Sequence, residues 1–337
     1  MAGKSGRTIS AMPEKTWKKV LLSWEGMLVI LFIVINIFCR IISPNYGLSN
    51  VLREMPRYLT GVFLLFPMTY ILILGDIDLS VGSSVCLSAT MACMAGNAGA
   101  PFPLVVFICL VVGTACGLFN GIVLTRFTEL PPMIVTLSTM IIFRGVAEIA
   151  LGSGGSISLS NTNGFRMMAG KVGMVPYIFF VIAVFAVIFA VVLGKTTFGR
   201  NLYAIGSNSK AAYYSGVKVQ KIRLIVFTTA GFMAGVAALF LTSVLFGANT
   251  TTGNGFELDA IAMAVFGGVS TAGGKGKMPG AIISAFIIMC LRIGLGQINM
   301  NPQIILVILG GLLILAVLIP NIISDLKVKN QVILSKK

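Results

Sequence analysis

The sequence predicts an all-α polytopic membrane protein with about ten transmembrane helices. Of its 337 residues, 57% are hydrophobic and 10% are charged, whereas an average soluble domain carries about 25% charged residues. Apolar runs long enough to cross a bilayer core of about 30 Å recur along the whole chain. Because a backbone in lipid must satisfy its own hydrogen bonds, we expect helices there and not a sheet.

Ten apolar runs separated by polar breaks are predicted as spans. No small-residue cleavage motif follows the first run, so it is interpreted as an uncleaved span. The third and eighth runs are rich in Gly, Ser and Ala, which indicates short or broken spans. The runs cover residues 27–42, 57–75, 79–97, 102–125, 132–151, 174–194, 222–246, 257–272, 278–298 and 303–321.

The basic residues predict that both termini are cytoplasmic. With the N-terminus inside, most of the 25 lysines and arginines fall on the cytoplasmic side, as the positive-inside rule requires. The predicted organisation is a cytoplasmic tail (1–26), a transmembrane domain (27–321) and a second cytoplasmic tail (322–337). Two loops are long, an outer loop (152–173) and an inner loop (195–223).

Composition argues against several classes of function. The net charge of +15 is spread between apolar runs, which indicates contact with membrane lipid and not with nucleic acid. Cys86 and Cys93 share a helical face, but the chain has no histidine, so neither a metal site nor a cofactor is expected. The phosphate-loop pattern is absent around Lys275, where Gly276 follows the lysine, so any ATP hydrolysis must come from another chain.

Small residues form stripes on two of the predicted spans. Glycines that recur every four residues leave a helix face without side chains, which favours close helix packing over ligand contact. The stripes are Gly113, Gly117 and Gly121 in span four, and Gly231 and Gly235 in span seven. Asn120 lies beside the first stripe, and because a buried amide must be hydrogen-bonded it requires either a structural partner or a solute.

Paired carboxylates occur at Asp76 and Asp78, where they are compatible with acid/base chemistry or cation binding. Because Asp78 also precedes a predicted helix, the capping role is favoured. The same capping role is favoured for Glu257 and Asp259 at the start of span eight.

Within span five, Arg144 and Glu148 lie four residues apart and could pair across one helical turn. An intramembrane charge is a functional-site hypothesis, and the alternative is a structural ion pair.

The inner loop contains a predicted short helix from Ser207 to Ser215. Ser207 or Ser209 is the expected N-cap, and Gly216 stands where a C-terminal glycine belongs. Such a helix between two spans suits the docking of a soluble partner. A basic loop bound to anionic headgroups is the alternative.

Four motifs in order resemble the ribose-type permeases of ATP-binding-cassette (ABC) importers. The likeness runs from about Leu48 to Ile319, with departures at Asp76 and Pro131. The motifs are residues 199–216, the Gly-Asp-Ile-Asp-Leu-Ser-Val-Gly segment at 75–82, Asn120-Gly121 followed by Leu-Pro-Pro-Met-Ile-Val-Thr-Leu at 130–137, and the Ala-Met-Ala-Val-Phe-Gly-Gly-Val-Ser-Thr-Ala-Gly-Gly segment at 262–274.

The resemblance implies a non-enzymatic transport subunit in the bacterial inner membrane that moves a monosaccharide or a sugar-like solute. Its implied partners are a soluble ABC ATPase, an extracytoplasmic solute-binding protein and a second permease, identical or related. The implied ATPase-docking coupling helix contains Ser207, Asn208, Ala211, Ala212, Ser215 and Gly216. The implied solute path includes Asn120, Thr136 and Ser138, and Asp78 joins it as a candidate.

Two points remain open at the level of sequence. Gly75–Gly82 and Gly255–Asp259 open spans that are five apart, which is compatible with an inverted repeat. The alternative function is an ion-coupled secondary transporter of a small polar solute, with Asp78, Glu148 or Asp259 on the ion route.

Overall fold

The structure, a computed structural model, describes residues 23–301, 303–311 and 314. Most of these residues are helical. The helices are Trp24–Ile42 (α1), Leu48–Leu59 (α2), Val62–Leu74 (α3), Val81–Asn97 (α4), Phe102–Arg126 (α5), Pro132–Leu151 (α6), Asn163–Met168 (α7), Tyr177–Lys195 (α8), Thr197–Ser207 (α9), Ser209–Tyr214 (α10), Val219–Leu245 (α11), Phe256–Phe266 (α12) and Met278–Gln297 (α13). Residues 303–311 are also helical. Of the predicted tails, residues 1–22 and 322–337 lie outside the described residues.

Two small antiparallel sheets depart from the expectation of helices alone. The strands are Ser156–Ser158 (β1), Lys171–Val172 (β2), Val175–Pro176 (β3) and Gly247–Asn249 (β4). β1 pairs with β4, and β2 pairs with β3. These strands lie in the connections that flank the long helices, where backbone pairing does not compete with a helix.

Within the described residues, six helices are long and apolar enough to cross a membrane: α1, α5, α6, α8, α11 and α13. A seventh span results if α2 and α3, which are bent by 53° at their junction, count as one. The predicted spans 79–97 and 257–272 correspond to shorter helices, α4 and α12. The chain is therefore a polytopic membrane protein, and ten crossings with cytoplasmic termini stay a prediction.

Helix α3 forms the centre of the bundle. All of its residues from Val62 to Leu74 are buried, as is typical of a helix that is apolar on every side. Peripheral helices instead expose large apolar side chains, such as Ile149 of α6 at 82% and Val187 of α8 at 63%. An outward apolar surface of this kind is the one that lipid solvates.

The contacts at the helix termini distinguish the two ends of the bundle. At one end Arg223 of α11 binds Asp76 after α3, and Lys277 before α13 lies 2.7 Å from Glu25. We call this the α9 end, because α9 contacts the same segments. At the opposite end α11 leads into β4, which pairs with β1, and we call it the β1–β4 end.

Helices α5 and α11 approach so closely that their backbones touch. A Cβ on Gly113 would lie 2.5 Å from the Gly231 carbonyl oxygen, and one on Gly117 would lie 2.8 Å from the Gly231 Cα. A Cβ on Gly235 would lie 3.0 Å from the Cys109 carbonyl oxygen. The two predicted glycine stripes thus face each other.

Replacing Gly117 with alanine is expected to destabilise the protein, because the new methyl group would overlap the α11 backbone. Overpacking of this kind costs about 1–3 kcal/mol. Gly145→Ala in α6 is the matched control, since a Cβ there meets nothing within 4 Å. Thermal unfolding of the detergent-purified variants measures the effect, and equal Tm values for the two variants would contradict this account of the α5–α11 contact.

Candidate functional site

Helix α10 is the short helix predicted in the inner loop, but its N-cap differs from the expectation. The cap is Asn208, whose side-chain oxygen accepts a hydrogen bond from the Ala211 amide at 2.9 Å. Ser207, one of the two expected caps, instead ends α9, and Ser209 is the first residue of α10. Asn208 takes the role because its extended backbone aims the carboxamide at the free amides of the first turn.

The surface of α10 is dominated by two aromatic side chains that the sequence analysis did not single out. Tyr213 is 61% exposed and Tyr214 is 86% exposed, and their ring centroids lie 5.8 Å apart. Ala212 is buried and faces the bundle. The other residues predicted for docking are exposed, namely Ser207, Asn208, Ala211, Ser215 and Gly216. In the sequence, two adjacent tyrosines in a loop between predicted spans could have suggested this surface.

Helix α9 anchors α10 to the bundle through backbone contacts. A Cβ on Gly206 would overlap the Ile73 carbonyl oxygen and would lie 2.5 Å from the Gly274 amide nitrogen. That Gly274 amide donates to the Ile73 carbonyl at 2.8 Å. A Cβ on Gly273 would lie 2.8 Å from the Gly206 carbonyl oxygen and 3.1 Å from the Gly75 Cα. We name Ile73, Gly75, Gly206, Gly273 and Gly274 the α9 junction. The junction joins three segments that are distant in the chain, and this part of 195–223 was predicted to be loop, so the junction was not predicted.

Tyr203 adds a side-chain contact to the same region. Its hydroxyl donates to the Gly276 carbonyl at 2.7 Å. Burial raises the pKa of Tyr203, so the hydroxyl keeps its proton and remains a donor. The segment before α13 is therefore fixed to α9.

Asp76 and Asp78 do not act as a pair, because each has its own partner. Arg223 binds Asp76 through two contacts, Nη2 to Oδ1 at 2.9 Å and Nε to Oδ2 at 2.8 Å. This ion pair fastens the start of α11 to the α3–α4 connection. Asp78 accepts from the amide of Ser80 at 2.8 Å and from its hydroxyl at 2.7 Å, as a carboxylate preceding a helix commonly does.

A chain of buried polar groups extends from Asp78 into the bundle. The Asn120 amide nitrogen donates to the Ser80 hydroxyl at 2.7 Å, and Ser80 donates to Asp78. Thr136 donates to the Ile77 carbonyl at 3.1 Å. All of these side chains are buried. Within the described residues, the Asn120 Oδ1 atom has no hydrogen-bond partner.

Three of the predicted path residues, Asp78, Asn120 and Thr136, thus adjoin one segment, and the fourth does not. Ser138 is exposed on α6, and its hydroxyl donates to the Ile134 carbonyl of its own helix at 2.9 Å. Its helical position turns it away from Thr136, because residues two apart point in different directions.

The hypothesis that Arg144 pairs with Glu148 was wrong. Arg144 donates to the carbonyls of Thr250 at 2.9 Å and Thr252 at 2.8 Å, whereas Glu148 is exposed. Arg144 thereby donates to backbone carbonyls in the loop before α12. These carbonyls need a donor, so the guanidinium points toward them and not toward Glu148.

The favoured capping role for Asp259 was also wrong. Helix α12 begins after Gly255, which has no side chain to cap it, and Glu257 and Asp259 both lie in its first turn. Asp259 instead forms a two-bonded ion pair with Arg292 of α13, with distances of 2.6 and 2.9 Å. Glu257 is buried against Gly82, and a Cβ on Gly253 would lie 2.6 Å from the Gly82 carbonyl oxygen. The segments that open α4 and α12 therefore meet inside the bundle.

Comparison with known proteins places the chain among transport permeases. Residues 58–317 match the family described as branched-chain amino acid transport system/permease component. The ribose import permease protein of Bacillus subtilis (strain 168) is 35% identical over 296 residues, which cover 86% of this chain and 90% of the relative. The D-allose transport system permease protein of Escherichia coli (strain K12) is 34% identical over 331 residues, covering 96% and 99%.

A third relative, the autoinducer 2 import system permease protein of Photorhabdus temperata, is 30% identical over 302 residues, covering 87% of this chain and 90% of the relative. No solved structure matches the chain. The predicted resemblance to ribose-type permeases is confirmed, and the chain belongs to the branched-chain amino acid transport system/permease component family.

Proposed function

We propose that this chain is the membrane-spanning permease subunit of an ABC importer in the bacterial inner membrane. It moves a monosaccharide or a sugar-like solute that an extracytoplasmic binding protein delivers. A separate ATPase chain hydrolyses ATP, and a second permease, identical or related, completes the membrane unit. The proposal rests on family membership and on the sugar and autoinducer systems that its relatives are named for.

The observation that carries the coupling part of the proposal is the construction of α9 and α10. Helix α10 presents exposed aromatic side chains, and α9 fixes it through the α9 junction to the segments that lead into α4 and α13. A push on α10 by a partner would therefore reach the segment that carries Asp78. This arrangement suits a coupling helix, and in this proposal the α9 end faces the cytoplasm, with tails 1–26 and 322–337 on the same side.

The solute path in this proposal passes the buried chain of Asp78, Ser80 and Asn120, with Thr136 beside it. These groups are neutral donors and acceptors apart from one carboxylate. In the observed conformation Asp78, Ser80 and Asn120 pair with one another, and Thr136 donates to the Ile77 carbonyl. Opening the bundle would exchange these internal hydrogen bonds for bonds to solute hydroxyls. Alternating access then requires no chemistry in this chain.

Substituting both Tyr213 and Tyr214 with alanine is expected to weaken docking of the ATPase strongly. Truncation of an aromatic side chain at the centre of an interface commonly costs about 2 kcal/mol or more, so we expect at least a tenfold loss of co-purified ATPase activity. The measurement is ATP hydrolysis in complexes purified through a tag on this chain. Tyr177→Ala, at the start of α8 and 41% exposed, is the control, and unchanged association of the double variant would refute α10 as the docking element.

Gly206→Ala is expected to separate ATP hydrolysis from transport. The methyl group would displace the Ile73 and Gly274 backbone but would leave the α10 surface intact, so the ATPase should still bind. We expect solute uptake into proteoliposomes to fall at least fivefold per ATP hydrolysed. Gly194→Ala in α8 is the matched control, because a Cβ there meets nothing within 4 Å; an unchanged ratio in the Gly206 variant would contradict transmission through the junction.

A further inference from the structure

A wide cleft opens at the β1–β4 end of the bundle. It lies between α2, the C-terminal part of α13 and the start of the helical stretch 303–311, and its volume is about 1220 Å³. Small-molecule sites typically measure roughly 300–1,000 Å³, so the cleft can hold a solute with its hydration water. None of the predicted path residues lines it.

A smaller recess of about 30 Å³ adjoins the cleft and shares the side chains of Arg57, Tyr58 and Arg292 with it. Asp259 and Phe256 also line the recess. The Asp259 and Arg292 side chains are about one-fifth exposed, at 22% and 20%. The ion pair is therefore held rigidly by two hydrogen bonds and is still open to a ligand.

The rim of the cleft carries primary amide side chains. Asn45, Asn50, Gln297 and Asn301 line it. Each carboxamide has both donor and acceptor atoms. A sugar hydroxyl also donates and accepts, so one carboxamide can form two hydrogen bonds with neighbouring hydroxyls.

Two side chains at the level where cleft and recess meet have unused hydrogen-bonding capacity. Among the described residues, the Arg57 guanidinium has no ion-pair or hydrogen-bond partner and the Tyr58 hydroxyl has no hydrogen-bond partner. The planar guanidinium of Arg57 can donate several N–H hydrogen bonds at once. The Tyr58 ring offers an apolar face, and its hydroxyl can donate or accept a hydrogen bond.

The charges of the lining are mostly compensated. Arg53 lies 3.5 Å from Glu54, and Arg292 is paired with Asp259, so among the described residues that line the cleft Arg57 carries the one uncompensated charge. A guanidinium also donates to hydroxyl oxygens, and the neutral amides of the rim outnumber it. An acyl chain would leave the amides unsatisfied. A protein partner would bury a flatter surface than a cleft that adjoins a recess beside the part-buried ion pair.

We propose that this cleft is a solute-binding site for an uncharged polyhydroxylated molecule of monosaccharide size. The rim amides hold its hydroxyls, and Arg57, Tyr58 and the Asp259–Arg292 pair receive its leading edge. The site deepens the proposed function, on which it rests, by naming where the solute first meets this chain before it reaches Asn120.

Binding is tested on the full-length chain in lipid nanodiscs by saturation-transfer difference NMR, which detects weak ligands. The probes are D-ribose and D-allose, the sugars named in two relatives, and L-leucine, because the family description names branched-chain amino acids. We expect a signal from at least one sugar and none from leucine. A signal from leucine alone, or from no sugar, would overturn the proposal.

Two variants locate the site. Arg57→Ala, and the double variant Asp259→Asn with Arg292→Gln, which removes the ion pair without leaving a lone buried charge, should each reduce the sugar signal at least fivefold. Arg166→Ala is the matched control, an exposed arginine at the same end that does not line the cleft. Equal signals from the cleft variants and the control would overturn the site.

Uptake separates this inference from the proposed function. If the complete complex concentrates sugar with ATP while Arg57→Ala and the double variant match Arg166→Ala, the cleft assignment fails and the proposed function stands. If the sugar signal depends on the cleft residues but no ATPase associates with the chain, the site stands and the proposed function fails.

Discussion

Close contact between backbones is the constraint on which the structure depends. In lipid no hydrophobic force drives one apolar helix against another, so association relies on dispersion and on short approaches that small residues permit. Gly113 and Gly117 bring α5 against Gly231 of α11, and Gly206 brings α9 against the end of α3. A methyl group at any of these positions would overlap a backbone atom, so both the core of the bundle and its link to α10 depend on absent side chains.

Interrupted helices are the second consequence of the membrane environment. Helices α4 and α12 begin inside the bundle, which leaves extended backbone where water is scarce. Side chains satisfy that backbone: Asp78 accepts from the Ser80 amide, Thr136 donates to the Ile77 carbonyl, and Arg144 donates to Thr250 and Thr252. These polar side chains therefore have structural partners in the backbone of the interrupted helices.

The two ends of the bundle present different surfaces. The α9 end has a short helix with exposed tyrosines and the Arg223–Asp76 pair, which is the surface that the proposed function uses for docking. The β1–β4 end has a polar cleft beside the Asp259–Arg292 pair, which is the surface proposed for the solute. The buried chain of Asp78, Ser80 and Asn120 lines neither surface in the observed conformation.

The sequence by itself determined that lipid surrounds this protein, where the long helices approximately lie, and which family the chain belongs to. Composition, the length of apolar runs and local motifs carry this information, and all three are properties of contiguous residues. It also placed the glycine stripes and the short helix α10. Only the tertiary structure decided which charges pair, since Arg223 and Asp76 are 147 residues apart and Arg292 and Asp259 are 33 apart. Local spacing favoured capping for Asp259 and a pair for Arg144 with Glu148, but a buried charge takes the partner that folding brings nearest, and periodicity does not encode that distance.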